Sequence, residues 1–467
     1  MNRRILPLIA RALVAPVVAR VVLVAPVVLV VLVGVIGVAA PPSAAQTLEE
    51  CIALARQHAP VMKAMDAGVS RADQAIREAR AALSPTMTLR ASYTQNSEAQ
   101  RFIVPFAGSG TPTAIKTGSA TAVEVATDAR YTLYSGGRDG ALVEANRAAR
   151  EKQVRSREQT DADLVLRVSR AYYRALAAGR LEAAARDVVT SAEAHRRTSA
   201  ARVRAGAAPR LDSLQAHVDL AQRTTALFRS SEAVRLARVE LESAIGVPLD
   251  PSQPLVEPGL PALDTPNDTT LTQDALRARP NLAALDLAVR ETEQRVRAAR
   301  AARSPFVTLN ATAAYLGPNR YEDYWESDLD GVKTYKLFAG VGVTLPILDG
   351  GLTGARVGQL EADRATLAAQ REDAQLAVRS EVANALSELR VALAVWQSDA
   401  GRVDAAREAL RVAESGYKGG SATAPDVRDA EASLADARAE EAQSLMDYWT
   451  ARASLDHATG AAAGKGN

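Results

Sequence analysis

Four short segments of the chain alternate strictly between apolar and polar residues. The first lies within 86–95 and the second within 121–134; the same alternation returns at 306–314 and at 335–345. A period of two places one kind of side chain on each face of a β-strand, so the pattern predicts two pairs of strands. Each strand has about ten residues, the length that crosses a bilayer when tilted. Two half-buried hairpins on a soluble core would show the same alternation.

Two much longer runs, 138–204 and 352–417, contain no proline and have the composition of helices. At 1.5 Å per residue each run would extend about 100 Å. Each ends at a short turn, at Gly206–Pro209 or at Gly419–Pro425, and an alanine-rich segment follows. We therefore predict two antiparallel helical hairpins. A soluble coiled-coil scaffold would explain these rods but not the strand pairs.

The chain is an internal duplication. Ala59-Pro60 recurs as Arg279-Pro280, 220 residues later, whereas Gly136-Gly137 recurs as Gly350-Gly351, 214 residues later. One repeated unit with a six-residue difference in one loop explains both offsets. The predicted organisation is a leader at 1–45, a first repeat at 46–248 (β-hairpin 86–134, helical hairpin 138–247), a proline-rich linker at 249–268, a second repeat at 269–460 (β-hairpin 306–347, helical hairpin 352–459) and a tail at 461–467.

The amino terminus resembles a secretory leader. Residues 21–40 carry no charge, follow an arginine-bearing stretch, and precede Ser43-Ala44-Ala45, which fits a leader cleavage site. We expect cleavage after Ala45; a retained inner-membrane helix at 21–40 is the alternative. The single cysteine, Cys51, lacks the small residues that precede a lipoprotein cysteine, so we expect it to be buried on a helix.

Composition excludes several classes of function. The 56 Lys and Arg against 54 Asp and Glu leave no basic excess for nucleic acid, and one cysteine permits neither a disulfide nor a cysteine zinc site. No catalytic constellation or phosphate-binding loop is present, so we expect no enzyme and no cofactor. Twelve of the nineteen aromatic residues fall within 93–134 and 306–338, as they would in the interfacial girdles of a membrane barrel.

The combined features resemble the TolC family of outer-membrane efflux proteins over about residues 47–460. Leu345-Pro346-Ile347-Leu348-Asp349-Gly350-Gly351 resembles the family's strand-to-helix corner, and both hairpin turns lie in the expected order. The resemblance implies a mainly α-helical homotrimer, with four strands per chain forming a 12-stranded β-barrel continuous with a long periplasmic α-helical barrel. It also implies an outer-membrane exit duct that works passively with a periplasmic adaptor and an inner-membrane RND or ABC-type transporter.

The turn of the second repeat resembles the family's periplasmic gate. The resemblance assigns Tyr417 to holding the closed tip, and Asp426 and Asp429 to the pore mouth, where mutual repulsion should raise a carboxyl pKa. Asp426 has the counterpart Asp212, so a helix-terminus role is an equal alternative for it. The family's neighbouring arginine is replaced by Ala422. The adaptor-docking tips are expected at Gly206, Ala207, Ala208, Gly419, Gly420 and Ser421. The alternative function is an inner-membrane-anchored periplasmic adaptor.

Overall fold

A computed structural model describes residues 46–95, 97, 101–104, 113–116, 121–251, 253–261, 268–317, 334–419 and 421–461. The expected leader, Gly420 and the end of the tail lie outside the described residues. All the elements below belong to one compact unit, Thr47–Pro251 with Leu255–Asn467.

Each alternating segment forms a strand and each long run forms a helix. The helices are α1 (Leu48–His58), α2 (Pro60–Ala81), α3 (Arg138–Arg204), α4 (Arg210–Ile245), α5 (Asp268–Ala278), α6 (Pro280–Arg300), α7 (Leu352–Gly419) and α8 (Ala424–Thr459). The strands are β1 (Thr86–Gln95), β2 (Arg101–Val104), β3 (Thr113–Lys116), β4 (Thr121–Tyr134), β5 (Phe306–Gly317) and β6 (Thr334–Thr344). Across the described ranges, none of the helices combines the length and the apolar character that a membrane crossing requires.

The main sheet joins the two repeats edge to edge. Its order is β1-β4-β5-β6, antiparallel throughout, so β1 and β6 are its edge strands. The β1–β4 and β5–β6 pairs are the two predicted hairpins, whereas the β4–β5 pair connects the repeats. The additional antiparallel pair β2–β3 lies within the loop of the first hairpin and was not predicted.

A double-glycine corner turns the chain from each hairpin into its long helix. Gly136 and Gly137 have φ values of 63° and 83°, and Gly350 and Gly351 have 61° and 88°. These left-handed angles favour glycine, so the corners have a defined conformation that other residues would strain. At Gly136 a Cβ would also lie 2.3 Å from Ser304 Cβ, which belongs to the other repeat.

Proline separates a short helix from a longer one at the start of each repeat. Pro60 begins α2 and Pro280 begins α6, because proline is tolerated at the first position of a helix but not in its interior. The short helices α1 and α5 contribute to two hydrophobic cores, one with α3, α4 and α8 and one with α7 and α8. Cys51 on α1 is fully buried, as predicted, and burial together with nearby Glu50 raises the pKa of its thiol to about 11.

The proline-rich segment between the repeats runs along the helices. The Tyr172 hydroxyl donates to the carbonyl of Val256 at 2.7 Å, and Arg180 on the same helix pairs with Glu257 through two hydrogen bonds of 2.8 and 2.6 Å. These hydrogen bonds hold the described part of the linker against α3. The hydrogen bond from Arg180 keeps the pKa of the Glu257 carboxyl below its usual range.

Candidate functional site: the two hairpin tips and the groove between the rods

The first tip connects α3 to α4 through a tight turn. Gly206 has φ 70°, and the amides of Gly206 and Ala207 donate to the carbonyls of Val203 and Arg202 at 3.0 and 2.9 Å. These bonds satisfy carbonyls at the end of α3, and the left-handed residue needed to form them is the reason for glycine here. Pro209 precedes α4 and provides no side-chain cap.

The second tip begins its returning helix with a capping box. The Asp426 carboxylate accepts from the amide and from the hydroxyl of Thr423, both at 2.7 Å, while the Thr423 hydroxyl accepts from the Asp426 amide at 3.4 Å. Hydrogen bonding to the carboxylate favours its charged form, so the pKa of Asp426 lies below its ordinary value. The repulsion expected from the sequence would have raised it. In the single chain, Asp426 therefore has the helix-terminus role that sequence analysis left open.

Asp429 follows on the same face of α8. Residues three apart on a helix are neighbours, so Asp429 lies one turn beyond Asp426. Both residues are exposed. Two exposed carboxylates close to one tip form an electronegative patch; the pore role of Asp429 stays a prediction.

Tyr417 contacts the other repeat. Arg202, in the last turn of α3, donates from Nη1 to the Tyr417 hydroxyl at 3.3 Å, and Tyr417 is 41% exposed. This hydrogen bond joins the two tips of one chain. Sequence analysis missed Arg202 because its counterpart in the second repeat is Gly416, so the duplication did not single it out. An arginine thus reaches the tyrosine from α3, although Ala422 occupies the position where the family resemblance expects one.

The two tips differ in surface chemistry. Leu211, Leu214 and Val218 are 60%, 54% and 56% exposed along the first turns of α4. Their counterparts on α8, 214 residues later, are Pro425, Arg428 and Ala432. The first tip therefore presents a stripe of large apolar side chains. At the second tip, the equivalent positions hold a charged side chain between two small residues.

A groove of about 950 Å³ follows the middle of the long helices. Its lining comes from α3, α4, α7 and α8, and α1 and α5 contribute none of it. The charged side chains Arg170, Arg174, Glu388 and Asp447 line it. Arg174 pairs with Glu240, and Arg170 donates to the Ser454 hydroxyl at 3.0 Å. Within the described part of the chain, no three His, Cys, Asp or Glu side chains gather as a metal site would require.

The model of the outer membrane efflux protein family matches residues 51–247 and 271–461, which correspond closely to the two repeats. The chain belongs to this family. It is a family of outer-membrane efflux proteins and not of enzymes, and membership locates the chain in the outer membrane with its helical part in the periplasm. The resemblance inferred from the strand pairs, corners and rods is confirmed.

Individual relatives agree with the family match. The chain is 27% identical over 267 residues to Nodulation protein T from Rhizobium leguminosarum bv. trifolii, covering 55% of this chain and 54% of the relative. The alignment thus spans about half the length of that curated relative. Among solved structures, the outer membrane protein VceC of Vibrio cholerae superposes with a TM-score of 0.70 at 21% identity, covering 88% of this chain and 96% of that one. The Campylobacter jejuni CmeC outer membrane channel gives 0.71 at 15%, covering 88% and 85%. These likenesses establish the fold.

Proposed function

We propose that three copies of this chain form the outer-membrane exit duct of a tripartite efflux or type I secretion system. The observation that carries the proposal is the unpaired state of both sides of the chain. Each side ends in an edge strand and, below it, in a long helix with an exposed apolar face. A second copy would cover both.

The strand edges support closure by several copies. β1 and β6 each have one neighbour in the four-stranded sheet. On β6, Leu337, Val341 and Val343 are 85%, 62% and 68% exposed, which fits strands that face lipid on one side. Four strands cannot close a barrel and an open edge invites association, so three copies with three times four strands would remove every edge.

The helix edges support the same assembly. On α4, Phe228 is 67% and Leu236 is 58% exposed. Ala442, the counterpart of Phe228 on α8, is 5% exposed. Because the equivalent position is covered where the two repeats meet, the exposed one favours an equivalent contact with a neighbouring copy. Burying a side chain of this size would contribute about 1.5–3 kcal/mol.

The groove between the rods supports a water-filled passage. Since neither α1 nor α5 lines it, the groove lies on the side of the four long helices away from the short ones. Three copies arranged with this side inward would enclose a lumen with arginine and carboxylate side chains on its wall. The sequence contains no nucleotide-binding loop, so transport through it would be passive and powered by an inner-membrane RND or ABC-type transporter.

The tips would contact a periplasmic adaptor. The counterparts of Leu211 and Leu214, Pro425 and Arg428, are exposed on α8 beside α3, so an equivalent contact between copies would leave the two leucines uncovered. An exposed apolar stripe next to Gly206, Ala207 and Ala208 fits a partner protein. The other docking residues would be Gly419, Gly420 and Ser421, with Tyr417, Asp426 and Asp429 at the gate.

Reconstitution of the purified full-length protein into a planar bilayer tests the proposal. We expect discrete, long-lived conductance steps from an oligomer that is isolated intact in detergent. A monodisperse monomer that conducts no ions would contradict it. Recovery of the protein from the inner membrane with residues 21–40 retained would favour the adaptor alternative instead.

A further inference from the structure

The two repeats share one internal geometry. In the first, Thr86 of β1 faces Arg130 of β4; in the second, Phe306 of β5 faces Thr344 of β6. Adding 220 to the β1 number and 214 to the β4 number gives the β5–β6 register. The same two offsets therefore convert every strand pair of the first hairpin into one of the second.

Two ion pairs between helices obey the same offsets. Arg157 of α3 pairs with Asp66 of α2 at 2.5 Å, and their counterparts Arg371 and Asp286 also pair. Likewise, Arg150 pairs with Asp73 at 3.2 Å, and the counterparts Arg364 and Glu293 pair at 3.1 Å. The correspondence between the repeats thus extends from the strands to the side chains of the rods.

The junction between the repeats is present inside the chain. There, Thr127 of β4 faces Ala313 of β5, and Arg130 faces Asn310. Below the sheet, Gly136 lies against Ser304, and Lys152 of α3 pairs with Glu291 of α6 at 2.6 Å. Glu291 and Ala298 are accordingly buried at 8% and 5% exposure.

The counterparts of these junction residues are uncovered. Gly350, the counterpart of Gly136, has open space where a Cβ would point, and Ser84, the counterpart of Ser304, is exposed. Arg71 and Glu78 of α2, which correspond to the buried Glu291 and Ala298 of α6, are also exposed. One chain therefore contains a completed junction and the two separate halves of another.

We propose that neighbouring copies join through a second junction that has the same register as the internal one. Applying the offsets to β4 and β5 pairs β6 of one copy antiparallel with β1 of the next. Val341 then faces Tyr93 of the partner subunit, Thr344 faces Arg90 of the partner subunit, and Gly350 lies against Ser84 of the partner subunit. The inference rests on the proposed function only for the existence of an assembly; the register comes from the duplication.

The side chains of the proposed register suit its pairs. Tyr93 and Val341 are 68% and 62% exposed, and an aromatic residue opposite a β-branched one is a favourable cross-strand pair. A shift by one residue would place the apolar side chains of one strand beside the polar ones of the other, because successive residues point to opposite faces. The register is therefore specified by the same alternation that identified the strands.

Cysteine cross-linking of full-length protein in membranes tests the register. The double variant Tyr93→Cys with Val341→Cys should form disulfide-linked dimers and trimers that reducing agent removes. The matched control Thr127→Cys with Ala313→Cys occupies the equivalent pair of the internal junction and should close a disulfide within one chain. Directly opposed residues lie within disulfide range, whereas diagonal ones do not. Native Cys51 is buried and should not contribute.

The shifted variant Tyr93→Cys with Val343→Cys should cross-link at least tenfold less. A second pair in the proposed register, Ala91→Cys with Val343→Cys, should cross-link between copies and provides an independent reading. Preferential cross-linking of the shifted pair would overturn the inference. So would the absence of intermolecular disulfides in both in-register pairs while the internal control closes. Conductance of the same samples separates the two claims: cross-linked oligomers that conduct nothing would contradict the duct but leave the junction standing.

Discussion

The two hairpin tips have the same backbone plan and opposite chemistry. Each returning helix carries an aspartate at its third position, Asp212 or Asp426, but only the second has a threonine before it to complete a capping box. The first tip exposes Leu214 where the second exposes Arg428. Duplication has thus preserved the turn while the side chains diverged. We infer that the first tip serves docking and the second serves the gate.

The largest expected effect concerns the apolar stripe of the first tip. Leu214→Glu should weaken binding of the co-expressed periplasmic adaptor about tenfold to a hundredfold, because a leucine buried in an interface contributes about 1.5–3 kcal/mol. In-cell cross-linking to the adaptor measures the change. The matched variant Arg428→Glu at the second tip should have a smaller effect. Equal losses at both tips would contradict the division of roles.

The capping box predicts a difference in local stability. Thr423→Ala should destabilise the start of α8 by about 1 kcal/mol, whereas Pro209→Ala should change little because no side-chain cap exists there. Hydrogen exchange of the amides of 424–427, compared with those of 210–213, measures both. Unchanged exchange in the Thr423 variant would show that the box does not hold the helix end.

The same box predicts a pH dependence at the second tip alone. The folded-state pKa of Asp426 is depressed, so its contribution to helix stability is complete above the ordinary carboxyl value and is lost as the pH falls through the depressed one. Amide exchange at 424–427 should accelerate over that acidic range relative to 210–213. In Asp426→Asn the acceleration should disappear. An identical pH profile in the variant would mean that other groups determine it.

Asp429 should influence conduction more than Asp212 does. Multivalent cations added from the periplasmic side should block the channel, because rings of carboxylates attract them. Asp429→Ala should weaken this block several-fold, and Asp212→Ala should leave it nearly unchanged. Single-channel recordings provide the measurement. If Asp426→Ala combined with Asp429→Ala leaves the block intact, other residues form the pore mouth.

The smallest expected effect belongs to the hydrogen bond between the tips. Tyr417→Phe and Arg202→Ala should each open the resting channel modestly, since one exposed hydrogen bond of 3.3 Å contributes no more than about 1 kcal/mol. Because both variants remove the same bond, the double variant should open no further than either single one. Additive opening would show that Arg202 and Tyr417 act independently.

The sequence predicted the elements better than their neighbours. Alternation located β1 and β6, and the absence of proline located α3 and α7, because both patterns are local. The β4–β5 pairing was not predicted, since alternation identifies the faces of a strand but not the strand beside it. The capping box at Thr423 and Asp426 could have been found from its spacing. The contact between Arg202 and Tyr417 could not, because it joins side chains 215 residues apart.

The number of copies in the detergent-solubilised particle tests the central claim most directly. Native mass spectrometry of the intact protein should give three chains per particle, because three times four strands close the sheet and pair both edges of every copy. The same particles should conduct when reconstituted. A stable monomer, or a particle with another number of chains, would contradict a duct built from three copies.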